Sequence, residues 1–383
     1  MKKICFITTI SLTLRVFVLK TAEYLHNHTD WDISVICSDD ADFAAALPEY
    51  IHYYPVKMER GISISGINAM LQMKRIFQRE KFDLIQYSTP NASLYASLAG
   101  WMERVPVRLY CQWGMAYKGF HGTKKIVFKE VERIICHLST HIEPDSKSNL
   151  EFAIAEGLYD AYKGHVVWNG SACGIDLAKF DPERCNEARK EIRDRYKIPE
   201  DRFVFIFVGR VTRDKGVNEL FEAFKSIATK HYLHLLMVGP NEVNETADKN
   251  LYDWTLHDSS VSYVGYTDEV EKYLAAADCY VLPSYHEGFG MSILEAEAMG
   301  LPVIVTDIPG PRDAMIDGKT GIRIEKQNVK KLAEAMVFLY ENPDIAKEYG
   351  KAGRIFAASN FDQKQMLEYI LSDRKKIING GDK

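Results

Sequence analysis

The chain has no Cys-x-x-Cys pair, no apolar run long enough to span a bilayer, no internal repeat and no excess of positive charge. Each absence closes a class of protein. The seven cysteines (Cys5, Cys37, Cys111, Cys136, Cys173, Cys185 and Cys279) are odd in number, scattered, and in several cases set inside apolar runs. They read as reduced, buried thiols, so neither a disulfide framework nor a zinc site is expected. No segment reaches the ~20 apolar residues of a membrane-spanning helix. A net charge of -5 and a pI near 6.2 argue against a nucleic-acid partner held by bulk charge. The opening MKKICFITTISLTL mimics a secretory leader, but Arg15 interrupts the apolar run and no small-residue cleavage site follows. A first β-strand is the better account, and a cytoplasmic chain with at most peripheral membrane contact is expected.

What is present is an ordinary globular composition, 46% hydrophobic and 26% charged, over 383 residues. That length favours two domains over one core. Near-continuously apolar strands, as expected where both faces are covered, alternate with helices. In the first half strands are expected at Ile4–Thr8, Ile33–Cys37, Ile51–Val56, Leu84–Tyr87, Val107–Cys111 and His165–Trp168. Helices are expected at Leu12–His26, Ile67–Arg79, Ala92–Glu103, Lys124–His137 and Ser146–Glu156. The stretch 169–198 breaks the rhythm with Gly, Asp and Pro, which places a linker near Asn169–Ser171. The alternation then restarts, with strands expected at Phe203–Val208, His234–Val238, Val261–Val264, Cys279–Leu282, Val303–Thr306 and Gly321–Ile324. Repeated βα units imply an α/β fold with two doubly wound, Rossmann-like parallel sheets.

Two stretches carry the chemistry. In Leu282–Pro302, a buried strand enters the Gly-rich turn Glu287-Gly288-Phe289-Gly290, and a short helix begins at Met291. Backbone N–H groups and the positive end of the helix dipole meet there, which suits a phosphate. Glu287 lies in the turn. Glu295 sits one turn into the helix and tilts back toward it, whereas Glu297 faces the other way. The second stretch is Gly209–Gly216, GRVTRDKG, directly after the strand FVFIFV. Arg210, Arg213 and Lys215 place three cations in six residues, and Gly209 lets the backbone approach a ligand closely. Together these features suit a ligand with phosphates and hydroxyls, such as a nucleotide sugar. Asp40-Ala41-Asp42 is formally a DxD metal motif, but paired cations make a metal unnecessary, so no metal is expected.

The pairing resembles the family 4 retaining glycosyltransferases of the GT-B fold. The matched residues are Gly209, Arg210, Lys215 and Gly216, then Glu287 to Gly290, Glu295-Ala296 and Gly300 to Val303, with Val264-Gly265-Tyr266 and Ala277-Asp278 between them. The likeness covers the second half closely and the first half weakly. It implies two Rossmann-like domains facing across a cleft: residues 1–169 on the acceptor side, 170–361 binding the donor, and a final helix, 362–383, crossing back to the first. It also implies that Arg210 and Lys215 hold the diphosphate and stabilise the leaving group. Glu287 and the backbone of Gly288, Phe289 and Gly290 would contact the donor, Glu295 the ribose hydroxyls, and Val264, Gly265 and Tyr266 the base. The reaction implied is transfer of a sugar from a nucleotide diphosphate to a hydroxyl, with anomeric retention and no cofactor beyond the co-substrate.

The first half is expected to supply the acceptor site. Candidates are Thr9 in the first turn, Trp113 where relatives carry a His before Gly, and Tyr117 and His121 nearby. Lys124, Lys125, Lys129 and Arg133 share a helix with Ile126, Val127, Phe128, Ile134 and Ile135, and Met70–Lys81 adds further cations. Such a face could rest on an anionic membrane, which suits a lipid-linked glycan acceptor in surface polysaccharide synthesis. The alternatives are a nucleotide-sugar 2-epimerase of the same fold and a non-catalytic nucleotide-sugar binder. Sequons at Asn91, Asn169 and Asn244 carry no meaning in a cytosolic chain.

Overall fold

A computed structural model describes residues 1–59, 65–243 and 247–380. Asn244 and the end of the polar tail, 381–383, lie outside them. The chain forms two compact units, Met1–Gly174 with Lys364–Lys383, and Ile175–Gln363.

The first unit runs β1 (Lys3–Ile7), α1 (Ser11–Phe17), α2 (Leu19–His28), β2 (Asp32–Cys37), α3 (Ala41–Ala46), β3 (Ile51–Pro55), α4 (Ser65–Glu80), β4 (Leu84–Tyr87), α5 (Pro90–Met102), β5 (Val107–Gln112), α6 (Gly122–Leu138), β6 (His141–Pro144) and α7 (Lys147–Ala155). The second runs α8 (Asn186–Arg195), β7 (Phe203–Val208), α9 (Val217–Ala228), β8 (Leu233–Val238), α10 (Lys249–His257), β9 (Val261–Gly265), α11 (Val270–Ala276), β10 (Cys279–Leu282), α12 (Met291–Ala298), β11 (Val303–Thr306), β12 (Gly321–Ile324), α13 (Val329–Glu341) and α14 (Pro343–Phe361). The last helix, α15 (Gln363–Ile378), belongs with the first unit, where Ile377 joins the core of β1, β2 and α2.

Each unit holds one six-stranded parallel sheet, β3-β2-β1-β4-β5-β6 in the first and β12-β11-β10-β7-β8-β9 in the second. The two orders are the same when read from opposite edges. Each sheet therefore has one switch point, between β1 and β4 and between β7 and β10, where successive crossovers leave on opposite sides. In sheets of this order ligands bind there, beyond the carboxyl ends of the strands. Burial on both faces explains the apolar strands: all six residues of β8 and all four of β10 and β11 are buried.

The six strands of the second half are where the apolar pattern puts them, within a residue. The first half needs corrections. His165–Trp168 is not a strand; only Gly164 bridges to Ile142, and Val167 packs instead against Met366 and Ile370 of α15. The sixth strand is β6, four residues ending in proline, and it carries the charged Glu143, which hid it. The helix expected at Leu12–His26 is two helices broken at Val18. Asp40-Ala41-Asp42 is a helix start: the Asp40 carboxylate accepts from the Phe43 N–H and from Ser11 Oγ, which gives the motif a structural use. All seven cysteines are free and buried. Among the described residues no helix is long and apolar enough to cross a membrane.

Candidate functional site

The two loops singled out in the second half leave β7 and β10, the strands that flank the switch point of their sheet. A short 3-10 turn, Arg213–Lys215, follows β7, and Gly216 then opens α9 at φ 73°. A Cβ at Gly216 would sit 2.0 Å from the Pro283 carbonyl oxygen, so only glycine lets the two loops touch. Further bonds join them. The Tyr285 N–H donates to the Asp214 carbonyl at 2.8 Å, and Lys215 Nζ lies 2.7 Å from Glu287 Oε1. Ser284 Oγ donates to the same carboxylate oxygen at 2.7 Å. Gly290 at φ 87° starts α12 without a side-chain acceptor, and its carbonyl accepts from the Ile293 N–H at 2.8 Å.

Lys215 and Glu287 are thus brought together, both mostly buried. Arg210 is placed differently: it is half-exposed, 3.1 Å from Glu242 and 3.7 Å from Asp214. His286 Nε2 lies 3.8 Å from the same Asp214 carboxylate. Burial alone would raise the Asp214 pKa, but Thr212, Arg210, Lys215 and His286 carry it below the ordinary carboxylate range. Asp214, Glu242 and His286 were absent from the sequence-based candidates. Asp214 and His286 stand inside the two motifs and could have been named; Glu242 follows a different strand and carries no local signal.

Glu295 lies on the first turns of α12, and burial pushes its carboxyl up to about 7, with Glu271 raising it further and Lys179 opposing. Lys179 and Glu271 form an ion pair at 3.6 Å. Neither was recognisable in the sequence, since they come from a loop and from α11. Glu297 points the opposite way into the core, fully buried against Gly353, with its pKa raised well above normal by burial. The Phe289 side chain is buried and packs on Phe361, so only its backbone faces the turn. Tyr266, after β9, is exposed and donates to Asp268 at 2.6 Å, whereas Val264 and Gly265 are half-buried.

The acceptor-side candidates separate. Thr9 follows β1 and is hydrogen-bonded to Thr89 after β4. Trp113 follows β5, half-buried, with its ring 5.4 Å from Phe17. Tyr117 is a correction: it is 1% exposed, in the core, with its hydroxyl on Met115 Sδ, and offers no surface to an acceptor. His121 is exposed at the start of α6. On α6, Lys129 and Arg133 are spent in ion pairs with Glu156 and Glu130. On α4, Lys74 and Arg79 pair with Glu103 and Glu80. Lys124 lies 4.2 Å from the Phe120 ring, and with Lys125 it flanks the exposed Ile126 and Val127.

Glu143, His165 and Asp373 bring donor atoms within 4.8 Å of one another, a spacing that could hold a cation. The buried guanidinium of Arg374 pairs with both carboxylates and already supplies that positive charge.

Residues 188–356 match the family model described as glycosyl transferases group 1, and residues 3–143 match the one described as glycosyl transferase 4-like. The chain is 28% identical over 343 residues to the capsular polysaccharide biosynthesis glycosyltransferase CapM of Staphylococcus aureus, covering 89% of each. It is 26% identical over 335 residues to a UDP-Gal:alpha-D-GlcNAc-diphosphoundecaprenol alpha-1,3-galactosyltransferase of Escherichia coli, covering 83% of this chain and 82% of the other. In fold it is similar to sucrose-phosphate synthase from Thermosynechococcus elongatus, with a TM-score of 0.81, 20% identity and full coverage of both chains. HepE of Anabaena, solved in complex with UDP, gives a TM-score of 0.76 at 18% identity over 98% of this chain and 100% of the other.

Proposed function

We propose, from the premise that this chain belongs to the group 1 glycosyltransferases of the GT-B fold, that it transfers a sugar from a nucleoside-diphosphate sugar to a lipid-linked glycan, with retention and without a metal. The observation that carries the reading is the stitched pair of loops at the switch point of the second sheet, with Lys215 on Glu287 beside the start of α12. Breaking the bond between the anomeric carbon and the phosphate oxygen builds negative charge on the diphosphate. Lys215, Arg210 and the helix N–H groups supply positive charge there before the reaction begins, as a divalent ion would. The new bond forms from the acceptor hydroxyl to the same face of the anomeric carbon, and its proton passes to the departing phosphate oxygen. Glu295 accepts from the ribose hydroxyls.

The relatives described above support the donor and acceptor classes. The Escherichia coli enzyme is named for UDP-Gal and a diphosphoundecaprenol-linked sugar, and CapM for capsular polysaccharide. They lend no support to the 2-epimerase reading. The test is transfer from UDP-sugars to a polyprenyl-diphosphate glycan in excess EDTA, with the product anomer read by NMR. The expected result is an α-linked product from an α-linked donor at an undiminished rate. Inversion, or loss of activity on chelation, would contradict the mechanism.

We further place the enzyme on the cytoplasmic face of an anionic membrane through the exposed start of α6, where Ile126 and Val127 stand beside Lys124 and Lys125. The protein should float with phosphatidylglycerol vesicles and not with phosphatidylcholine ones, and the K124E/K125E double variant should stay at the bottom of the gradient. Equal flotation of both proteins would remove α6 from the contact.

A further inference from the structure

The first unit carries a cavity of about 610 Å³ at the amino-terminal edge of its sheet. It is lined by Lys74 of α4, Trp101 at the end of α5, Glu103 and Arg104 just beyond, and Arg108 at the start of β5. The loops that carry Thr9 and Trp113 leave from the other edge. β5 is six residues long, so Trp113 at its far end stands about 20 Å away.

Charge is unbalanced in this cavity. Three cations line it against one carboxylate, Glu103, and Lys74 already engages that carboxylate at 3.2 Å. Arg108 is half-buried and donates to neutral acceptors, Nε to the Leu138 carbonyl and Nη1 to the Val105 carbonyl, each at 2.7 Å. Those carbonyls leave its charge in place. Arg104 is exposed, and among the described residues neither arginine forms an ion pair. A planar guanidinium that no acid neutralises suits a carboxylate or a phosphate, whose two oxygens it meets through parallel bonds.

Beside the arginines, Trp101 is 57% exposed and turns a large apolar ring to solvent. The hollow has the size of a small-molecule site, whereas a protein partner would call for a broad surface of about 800 Å². A compact anion with one flat apolar face fits these walls. An acidic sugar has that form: the C–H face of its ring can lie on the indole while its charged group meets the guanidinium.

We propose that this cavity is a second saccharide site, which takes a sugar bearing a carboxylate or a phosphate, with Trp101 as the stacking platform and Arg104 and Arg108 as partners of the anion. The site lies at the opposite edge of the sheet from the acceptor-side loops and does not depend on the transfer reaction. Two sources share its chemistry, an acidic glycan chain and a soluble sugar phosphate.

The experiment titrates a glucuronate-containing tetrasaccharide, glucose 6-phosphate and a neutral glucose tetrasaccharide into the wild type, W101A and R104Q by calorimetry, with and without saturating UDP. Both substituted side chains are exposed, so the variants should melt with the wild type and transfer sugar at its rate. The wild type should bind one anionic probe per chain, roughly tenfold or more tighter than the neutral one, and each variant should weaken that binding by a similar factor. UDP should leave the affinity unchanged. Preference for the tetrasaccharide identifies a glycan as the ligand, and preference for the sugar phosphate a soluble one. Failure of both anionic probes to saturate the wild type, equal affinity in all three proteins, or equal binding of the neutral probe overturns the site. So does a W101A variant that loses flotation with phosphatidylglycerol vesicles while no probe binds the wild type, which would give this face to the membrane. A wild type that binds an acidic sugar here yet transfers nothing overturns the transferase reading alone.

Discussion

Replacing Lys215 by alanine is expected to lower kcat by about 10²–10³-fold, the usual loss for one preorganised group facing developing charge. The ammonium is fixed before substrate arrives. The 3-10 turn carries it, Gly216 lets that turn pack on Pro283, and Glu287 holds it at 2.7 Å. A diphosphate beside the ammonium would share it with Glu287, and its attraction for Lys215 grows as the leaving group gains charge. Stability should change little. Glu287 keeps its bond from Ser284, and losing one partly buried pair costs about 1 kcal/mol, a shift of roughly 2–4 °C in Tm for a unit of this size. Single-turnover transfer and thermal melts separate the two effects. A variant that retains a tenth or more of the wild-type kcat would take Lys215 out of the leaving-group site.

Arg374→Ala should have the largest effect on stability. Arg374 is 1% exposed on α15, and its guanidinium meets Glu143 from β6, Asp373 beside it and Gln86 from β4. His165 Nε2 reaches the other Asp373 oxygen at 2.7 Å. Burial by itself would raise the Asp373 pKa, but His165 and Arg374 carry it down to about 2. A carboxyl with a lowered folded pKa contributes stability above its ordinary range and loses it as the pH falls through about 2. Removing the arginine leaves the buried Glu143 without its cation and Asp373 with His165 alone, a loss of about 3–5 kcal/mol. The first unit should then melt about 10 °C lower at neutral pH. Part of the acid-induced loss between pH 4 and 2 should vanish with it, the rest staying with the His165–Asp373 bond. Calorimetry across that range is the check, and a shift under 2 °C would show that α15 does not depend on the cluster.

These cases mark how far the sequence could be read. That the two loops after β7 and β10 meet was legible because their signals are local: glycines beside strand ends, cations within six residues, and a glutamate in each of the turn and the helix. The strands of the second half were legible because burial on both faces leaves no polar interruption. What failed is set by distant partners. Glu143 disguised β6 as a loop, since the Arg374 that neutralises it lies over two hundred residues away. Tyr117 looked like a surface aromatic beside a turn, but the core of the first unit encloses it. The pairing of Thr9 with Thr89, and of Arg210 with Glu242, depends on how loops from different strands meet.

The most direct measurement is calorimetric titration of UDP and UDP-sugars into the wild type, R210A and K215A in the presence of EDTA. Saturable binding to the wild type, weakened at least tenfold in both variants, is the predicted result. Equal affinity in all three proteins, or no binding until a divalent metal is added, would contradict a diphosphate held by Arg210, Lys215 and the start of α12.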